Sequence, residues 1–119
     1  MTQIKIKRVY ESYSEDDGFR VLVDKLWPRG IKKELLKLDL WEKDIAPSTG
    51  LRKWFHEDPD GRWDEFERRY LLELSLNESI NVFITKVKEH HLATLLYASK
   101  DIEHNHAIIL KSYIDNLIE

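Results

Sequence analysis

Residues 92–107 read LATLLYASKDIEHNHA, and this stretch decides the fold class. Its first half, LATLLYAS at 92–99, is a short apolar run whose length and flanks favour a buried strand over a helix. The polar segment KDIEHNHA at 100–107 follows it, and the last helix is predicted to begin near Asn105. A buried strand that leads through a loop into a helix is typical of an α/β domain.

Three more segments are predicted to be strands. Residues 3–10 alternate isoleucine with lysine, as a half-buried strand does. The segment RVLVD at 20–24 is continuously apolar at its centre, which is typical of a strand covered on both faces. A weaker strand is predicted at 36–41, LKLDLW, whereas residues 11–18 form an exposed loop. We therefore expect a single-domain α/β protein with a small, mostly parallel sheet of about four strands flanked by helices.

The helices are predicted from capping residues and apolar spacing. Ser48 is a candidate N-cap, Asp58 with Pro59 begins a second helix, and Asn77 or Ser79 caps a third. Side chains at helical spacing form the buried stripes of these helices and of the last one: Leu51, Trp54 and Phe55; Trp63, Phe66, Tyr70 and Leu74; Ile80, Phe83, Ile84 and Val87; Ala107, Leu110, Ile114 and Leu117.

Length and composition exclude several classes of protein. The 119 residues predict one domain, 1–119, and no segment has the roughly 20 apolar residues of a membrane span. There is no cysteine, which excludes disulfides, thiolate catalysis and zinc sites built on sulfur, and fits a cytoplasmic protein. The N-terminus lacks the apolar core of a signal peptide. We expect no membrane association.

The charge distribution argues against strong nonspecific binding of nucleic acid. The net charge is −3, and the basic residues do not form a stripe. Residues 1–56 contain 12 Lys or Arg and 9 Asp or Glu, an excess of +3. This modest excess is compatible with a small anionic ligand as the partner.

Each of three polar loops directly follows a predicted strand. The loops are KLWPRG at 25–30, EKDIAPSTGLR at 42–52 and KDIEHNHA at 100–107. If the strands are parallel, these loops emerge at the carboxyl edge of the sheet, where open α/β sheets bind ligands. This edge is the predicted site.

Cations in these loops are candidates for binding an anion. Arg29 lies on a loop shaped by Pro28 and Gly30, and a guanidinium suits a carboxylate or phosphate. Lys43, Arg52 and Lys100 are further ligand-binding candidates, and Ser48 opens a helix whose N–H groups favour an anion. The alternatives are an internal salt bridge for Arg29 and simple N-capping by Ser48.

The last loop and the tryptophans supply the other candidates. Asp101 and His106 are the candidate catalytic acid–base groups. Asn105 is a candidate ligand-binding residue or a helix cap, and Trp27 either stacks on a ligand or covers the core. A metal site at His104 and His106, with Asp101 or His56, is less favoured than capping, so we expect no metal. No glycine-rich cofactor loop is present, and we expect no cofactor.

The chain resembles the YeaO-like family of small bacterial proteins, grouped as domain of unknown function 488. The resemblance rests on RVLVDKLWPRG (20–30), WEKDIAPSTGLRKWFHEDP (41–59), FERRYLLEL (66–74) and LLYASKDIEHNHAIIL (95–110), which span most of the chain. It implies a single-domain α/β protein of unknown activity.

Three functional hypotheses follow. The first is a small anionic-ligand site, for a phosphate or nucleotide-like molecule, at the carboxyl edge of the sheet, with or without enzymatic turnover. The second is a binding module for nucleic acid or protein, without catalysis. The third is a buried polar network that only stabilises the loops.

Overall fold

The computed structural model describes residues 2–118, which contain four β-strands and five α-helices. The strands are β1 (Gln3–Arg8), β2 (Phe19–Leu22), β3 (Leu40–Trp41) and β4 (Leu92–Tyr97). The helices are α1 (Lys33–Leu36), α2 (Thr49–His56), α3 (Pro59–Leu76), α4 (Ser79–Lys88) and α5 (His106–Ile118). None of these helices combines the length and the apolar character needed to cross a membrane.

The strands form one parallel sheet in the order β1-β4-β2-β3. The central strand β4 pairs with β1 from Gln3 opposite Leu92 and with β2 from Phe19 opposite Ala93. Because every pair is parallel, all four carboxyl ends lie at the same edge. The predicted fold class, α/β with a small parallel sheet of four strands, is confirmed.

One face of the sheet packs against helices α2 to α5. Val21, Val23 and Leu95 point to this face and are fully buried. The predicted apolar stripes of all four helices pack against this face. Phe66, Tyr70 and Phe83 are among the most buried side chains. Leu117 was predicted to belong to the α5 stripe but is half exposed.

The opposite face is covered by α1 and by loops instead of long helices. Leu22 and Leu96 alternate with the residues of the helical face and pack with Val9 and Leu36. Trp27 and Trp41 lie partly buried against this second cluster. The prediction that RVLVD is covered on both faces is therefore confirmed.

The predicted strand at 36–41 is wrong over its first four residues, because only Leu40–Trp41 is extended and paired. Leu36 ends α1, and Lys37 has a left-handed backbone with φ of 52°. Leu36 turns inward to the second cluster, and the carbonyl oxygens of Leu36 and Lys37 accept hydrogen bonds from Arg20. These contacts stabilise a turn in this segment, and they would be lost if the segment were extended as a strand.

Arg20 is a charged side chain buried on this second face. Its guanidinium pairs with Asp17 and donates to the Leu36 carbonyl oxygen over 2.7 Å. Asp17 also accepts from Lys7 Nζ at 3.1 Å. Burial acts to raise the pKa of Asp17, but hydrogen bonds from Lys7, the Ser14 backbone and Arg20 together lower it. The buried charges of Arg20 and Asp17 are therefore paired and hydrogen-bonded, as burial of charge requires.

The predicted helix caps are largely confirmed. The side chain of Ser48 accepts from Leu51 N, and that of Asp58 accepts from Gly61 N. Asn105 Oδ1 accepts from Ile108 N over 3.1 Å at the start of α5. At α4 the predicted cap is wrong, because the N-cap is Glu78 without a side-chain cap bond; Asn77 precedes it, and its side chain accepts from Ser79 N. These side chains satisfy free N–H groups at the first turns.

Replacing Arg20 should show how much the second face depends on this ion network. Arg20→Met removes the buried ion-pair partner of Asp17 and the side-chain donor to two carbonyl oxygens, so we expect the free energy of unfolding to fall by about 3–5 kcal/mol. Urea denaturation measures this loss. The control is Arg68→Met, which removes an exposed arginine ion-paired with Glu65 on α3, and it should cost less than about 1 kcal/mol. Equal losses in the two variants would contradict a special role for Arg20.

Candidate functional site

A cleft of about 610 Å³ opens at the carboxyl ends of β2 and β4. The loops that follow β2 and β4 form two of its walls, and the start of α5 and one side of α2 complete it. The segment after β3 contributes Ala46, Pro47 and Arg52. The three polar loops therefore meet at one edge of the sheet, as the parallel strands require.

Most of the predicted site residues line this cleft. They are Trp27, Arg29, Arg52, Lys100, Asp101, Asn105 and His106. Their ligand-binding and catalytic roles remain predictions. Trp27 also covers the core: its indole N–H donates to the Ile31 carbonyl oxygen over 2.7 Å, and its ring meets Trp41 edge-on.

Lys43 and Ser48 are not among the residues that line the cleft. Ser48 N and Oγ both bond to the Glu73 carboxylate, at 2.9 and 2.6 Å. The protein therefore supplies its own anion at the N-terminus of α2. Lys43 is exposed, and its ammonium lies 5.1 Å from the centre of the Trp41 ring. The spacing of residues around Ser48 could not reveal its contact with Glu73, because Glu73 lies on another helix.

Asp24 is the residue that the sequence analysis missed. Its Oδ2 accepts the Ala98 N–H over 2.9 Å, and its carbonyl oxygen accepts from Trp41 Nε1 over 2.8 Å. The neighbouring bond from Val23 N to the Leu96 carbonyl oxygen is 3.1 Å long. Asp24 thus ties the ends of β2, β3 and β4 together. The sequence could have identified Asp24 as a site residue, because an acidic side chain directly after an apolar parallel strand lies at the edge where ligands bind.

Asp24 and His106 meet at the floor of the cleft. His106 Nε2 lies 3.3 Å from Asp24 Oδ1 and 3.0 Å from the Val23 carbonyl oxygen. A carbonyl oxygen only accepts, so Nε2 carries the hydrogen and directs it to Val23. Asp24 Oδ1 is buried and receives no hydrogen bond from the described residues. Burial raises the pKa of Asp24, although His106, the Ala98 N–H, Arg52 and His56 oppose the rise.

Arg52 and His56 lie one turn apart on α2 and both line the cleft. Arg52 Nε is buried and has no hydrogen-bond partner within residues 2–118. Burial, the charge of Arg52 and His106 lower the pKa of His56, against the opposing effect of Asp24. His56 is therefore mainly neutral at neutral pH, and Arg52 brings a positive charge to this wall.

Four cations line the cleft without an ion pair to a carboxylate of the described residues, whereas six of the cations outside it are paired. Lys7, Arg20, Arg62, Arg68, Arg69 and Lys111 each form an ion pair with a carboxylate. In the part of the chain that the structure describes, Lys25, Arg29, Arg52 and Lys100 belong to none of these pairs, and all four line the cleft. They face two lining carboxylates, Asp24 and Asp101.

The rim of the cleft is ordered by Asp101. Its Oδ1 accepts from Glu103 N and His104 N, at 3.0 and 2.9 Å, and these bonds lower its pKa. Asn105 Nδ2 donates to the Asp101 carbonyl oxygen. Asp101 is therefore ionised at neutral pH and stabilises the turn that leads into α5.

His104 links this rim to α3. Its ring lies 4.9 Å from that of Trp63, and its Nδ1 lies 3.0 Å from Asp60 Oδ1 and 3.8 Å from Asp101 Oδ2. One atom from each of these three polar groups lies within 4.8 Å of the others. The Asp60 side chain is 89% exposed, and the contacts are those of a histidine paired with two carboxylates at the solvent edge.

The raised pKa of Asp24 predicts a stability effect with a defined sign. A folded pKa above the unfolded value of about 3.9 means that the charged carboxylate destabilises the fold at neutral pH. This cost disappears as the pH falls through the folded pKa toward the unfolded one. Asp24→Asn should therefore raise the free energy of unfolding by on the order of 1 kcal/mol at pH 7, and the gain should shrink on acidification.

Urea denaturation from neutral pH to about pH 4 measures this difference. Asp101→Asn is the control with the opposite sign, because the Asp101 pKa is lowered. Its loss of stability should be present at neutral pH and should persist to about pH 4, because the folded pKa of Asp101 lies below its usual value. A constant difference for Asp24→Asn across the range would show that its charge carries no folding cost.

Comparison with known proteins places the chain in a family. Residues 3–119 match the family DUF488-N3i, described as the inactive DUF488-N3 subclade. The chain is 43% identical over 114 residues to the uncharacterized protein YeaO of Escherichia coli strain K12, covering 96% of this chain and 98% of the relative. It is 38% identical to the uncharacterized proteins Rv3073c of Mycobacterium tuberculosis strain H37Rv and Mb3100c of Mycobacterium bovis, covering 96% of this chain and 95% of each relative. No solved structure matches. The chain therefore belongs to the YeaO-like DUF488 family, as its loop segments predicted.

Proposed function

We propose that the cleft at the carboxyl edge of the sheet binds a small organic anion, phosphorylated or nucleotide-like, without turning it over. The observation that carries this proposal is Arg52. Its Nε is buried in the wall of the cleft with no protein partner. A buried donor left unpaired is costly, whereas an arginine fork binds carboxylate and phosphate through paired N–H groups. An acceptor oxygen of an anionic ligand would satisfy Arg52 Nε.

The other cations support an anionic ligand. Arg29, Lys25 and Lys100 lie around the same cleft and take part in no ion pair among residues 2–118. Unpaired like charges that face one concave surface concentrate the field on a ligand there. Three of these cations come from loops and one from α2, so the positive charge converges from separate parts of the chain.

The shape and lining of the cleft support an organic ligand over a bare inorganic ion. Its volume of about 610 Å³ is in the range of small-molecule pockets. Phe55, Phe66 and Trp27 contribute apolar and aromatic surface. Such surface binds the carbon part of a ligand, while the cations bind its charged group.

Binding without turnover is better supported than catalysis. The matching family is described as inactive. Asp101, a candidate acid–base group, accepts two backbone N–H bonds that lower its pKa and so weaken it as a base. His106 already donates through Nε2 to the Val23 carbonyl oxygen. The side chains of Asp101 and His106 are thus already engaged in hydrogen bonds that stabilise the loops of the site.

A thermal-unfolding screen tests the proposal. The probes are phosphate, nucleotides, sugar phosphates and carboxylates, each with the wild-type chain. A ligand at a hundred times its Kd adds about 2.7 kcal/mol to the free energy of unfolding, which raises the midpoint by roughly 10 °C. Arg52→Gln removes charged hydrogen bonds and should weaken binding about 10- to 100-fold.

Lys53→Gln is the matched control, because it removes the same charge from the next position of α2. Lys53 is exposed and is not among the residues that line the cleft. It should leave the affinity within a factor of about 2, since exposed charges act weakly at physiological salt. Equal losses in the two variants would mean that only general charge attracts the ligand. A panel without any hit would contradict a small-anion site and favour a binding module for a macromolecule.

A further inference from the structure

We propose that the ligand is a hydroxylated anion, such as a sugar phosphate or a hydroxy acid, and that one of its hydroxyl groups binds between Asp24 and Arg52. This inference rests on the proposed function, since it specifies the chemistry of a ligand in the same cleft. It concerns the floor of the cleft, whereas the anion-binding argument concerns its positively charged walls.

The first support is the unused acceptor capacity of Asp24. A carboxylate offers about four acceptor sites, and Asp24 uses one, for the Ala98 N–H. His106 Nε2 lies 3.3 Å from Oδ1, but its hydrogen is directed to the Val23 carbonyl oxygen. Asp24 lines the cleft, and 17% of its side chain remains exposed. A ligand that reaches the floor therefore meets a carboxylate with unused acceptor capacity.

The second support is the charge of that acceptor. A second anionic group placed against Asp24 would be repelled, and burial would strengthen the repulsion. The anionic group of the ligand is thus expected near Arg29 and Lys100, which are exposed and line the cleft. The part of the ligand at the floor is then uncharged and carries a hydrogen-bond donor.

Arg52 selects a hydroxyl over an amino group at the floor. Its charge is near enough to lower the pKa of Asp24, and its Nε needs an acceptor. A hydroxyl donates one hydrogen and accepts through two lone pairs, so it can satisfy both side chains at once. An ammonium group only donates and would be repelled by the guanidinium. The pair Asp24 and Arg52 therefore matches a hydroxyl.

Matched pairs of probes test this inference by titration calorimetry with the full chain. The pairs are ribose 5-phosphate with tetrahydrofurfuryl phosphate, and glycerol 3-phosphate with propyl phosphate. The members of a pair carry the same charge and differ in their hydroxyl groups. We expect the hydroxylated member of at least one pair to bind about 10- to 100-fold more tightly, the effect of one hydrogen bond to a charged group.

Asp24→Asn should abolish this preference. Its carbonyl oxygen can keep the Ala98 N–H, but its amide group only donates, so the hydrogen of the ligand hydroxyl loses the charged acceptor on which the preference rests. Asp115→Asn is the control, because Asp115 pairs with Lys111 on α5 and is not among the residues that line the cleft. It should leave the preference unchanged.

The outcomes separate the two proposals. Equal affinity within both pairs would overturn the hydroxyl inference and leave the anion site standing. A preference that survives in Asp24→Asn would also overturn it, because another group would then read the hydroxyl. Failure of every probe to bind at millimolar concentration would overturn the proposed anion site, and the hydroxyl inference with it.

Discussion

Asp24 joins three strands of the sheet at their carboxyl ends. Its carboxylate oxygen Oδ2 accepts from the backbone N–H of Ala98 after β4, and its backbone carbonyl oxygen accepts from the Trp41 indole on β3. The walls of the cleft are loops that begin at these strand ends. The same carboxylate keeps an oxygen without a partner. Structural support and unused binding capacity therefore coincide in a single side chain.

Two arginines show how the chain separates structural charge from available charge. Arg20 is buried on the loop-covered face, with Asp17 and two carbonyl oxygens as partners. Arg52 also has a buried nitrogen but makes no ion pair within residues 2–118, and it lines a cleft. The two side chains also differ in burial, since Arg20 is buried and Arg52 is partly buried. Their partners add a second difference, because the charge of Arg52 remains available to a ligand in the cleft.

The sequence was sufficient to predict the elements that depend on local pattern. The buried strand at 92–97, the caps Ser48, Asp58 and Asn105, and the common edge of the loops follow from spacing and parallel order. The remaining features depend on contacts between distant residues. The turn at Lys37 is stabilised by Arg20, and Ser48 is occupied by Glu73. Asp24 was missed because the sequence analysis counted it as the last residue of the buried strand RVLVD and assigned it no separate role.

The position of β4 in the sheet has a consequence for how the protein is made. β4 is the last strand in the chain and lies between β1 and β2, so β1 has no sheet partner until residues 92–97 are available. During translation, the sheet cannot close before β4 has left the ribosome. Pairing of Gln3 with Leu92 also closes a long loop, which slows folding. The cleft, which includes the loop after β4, can form only after that loop has been synthesised.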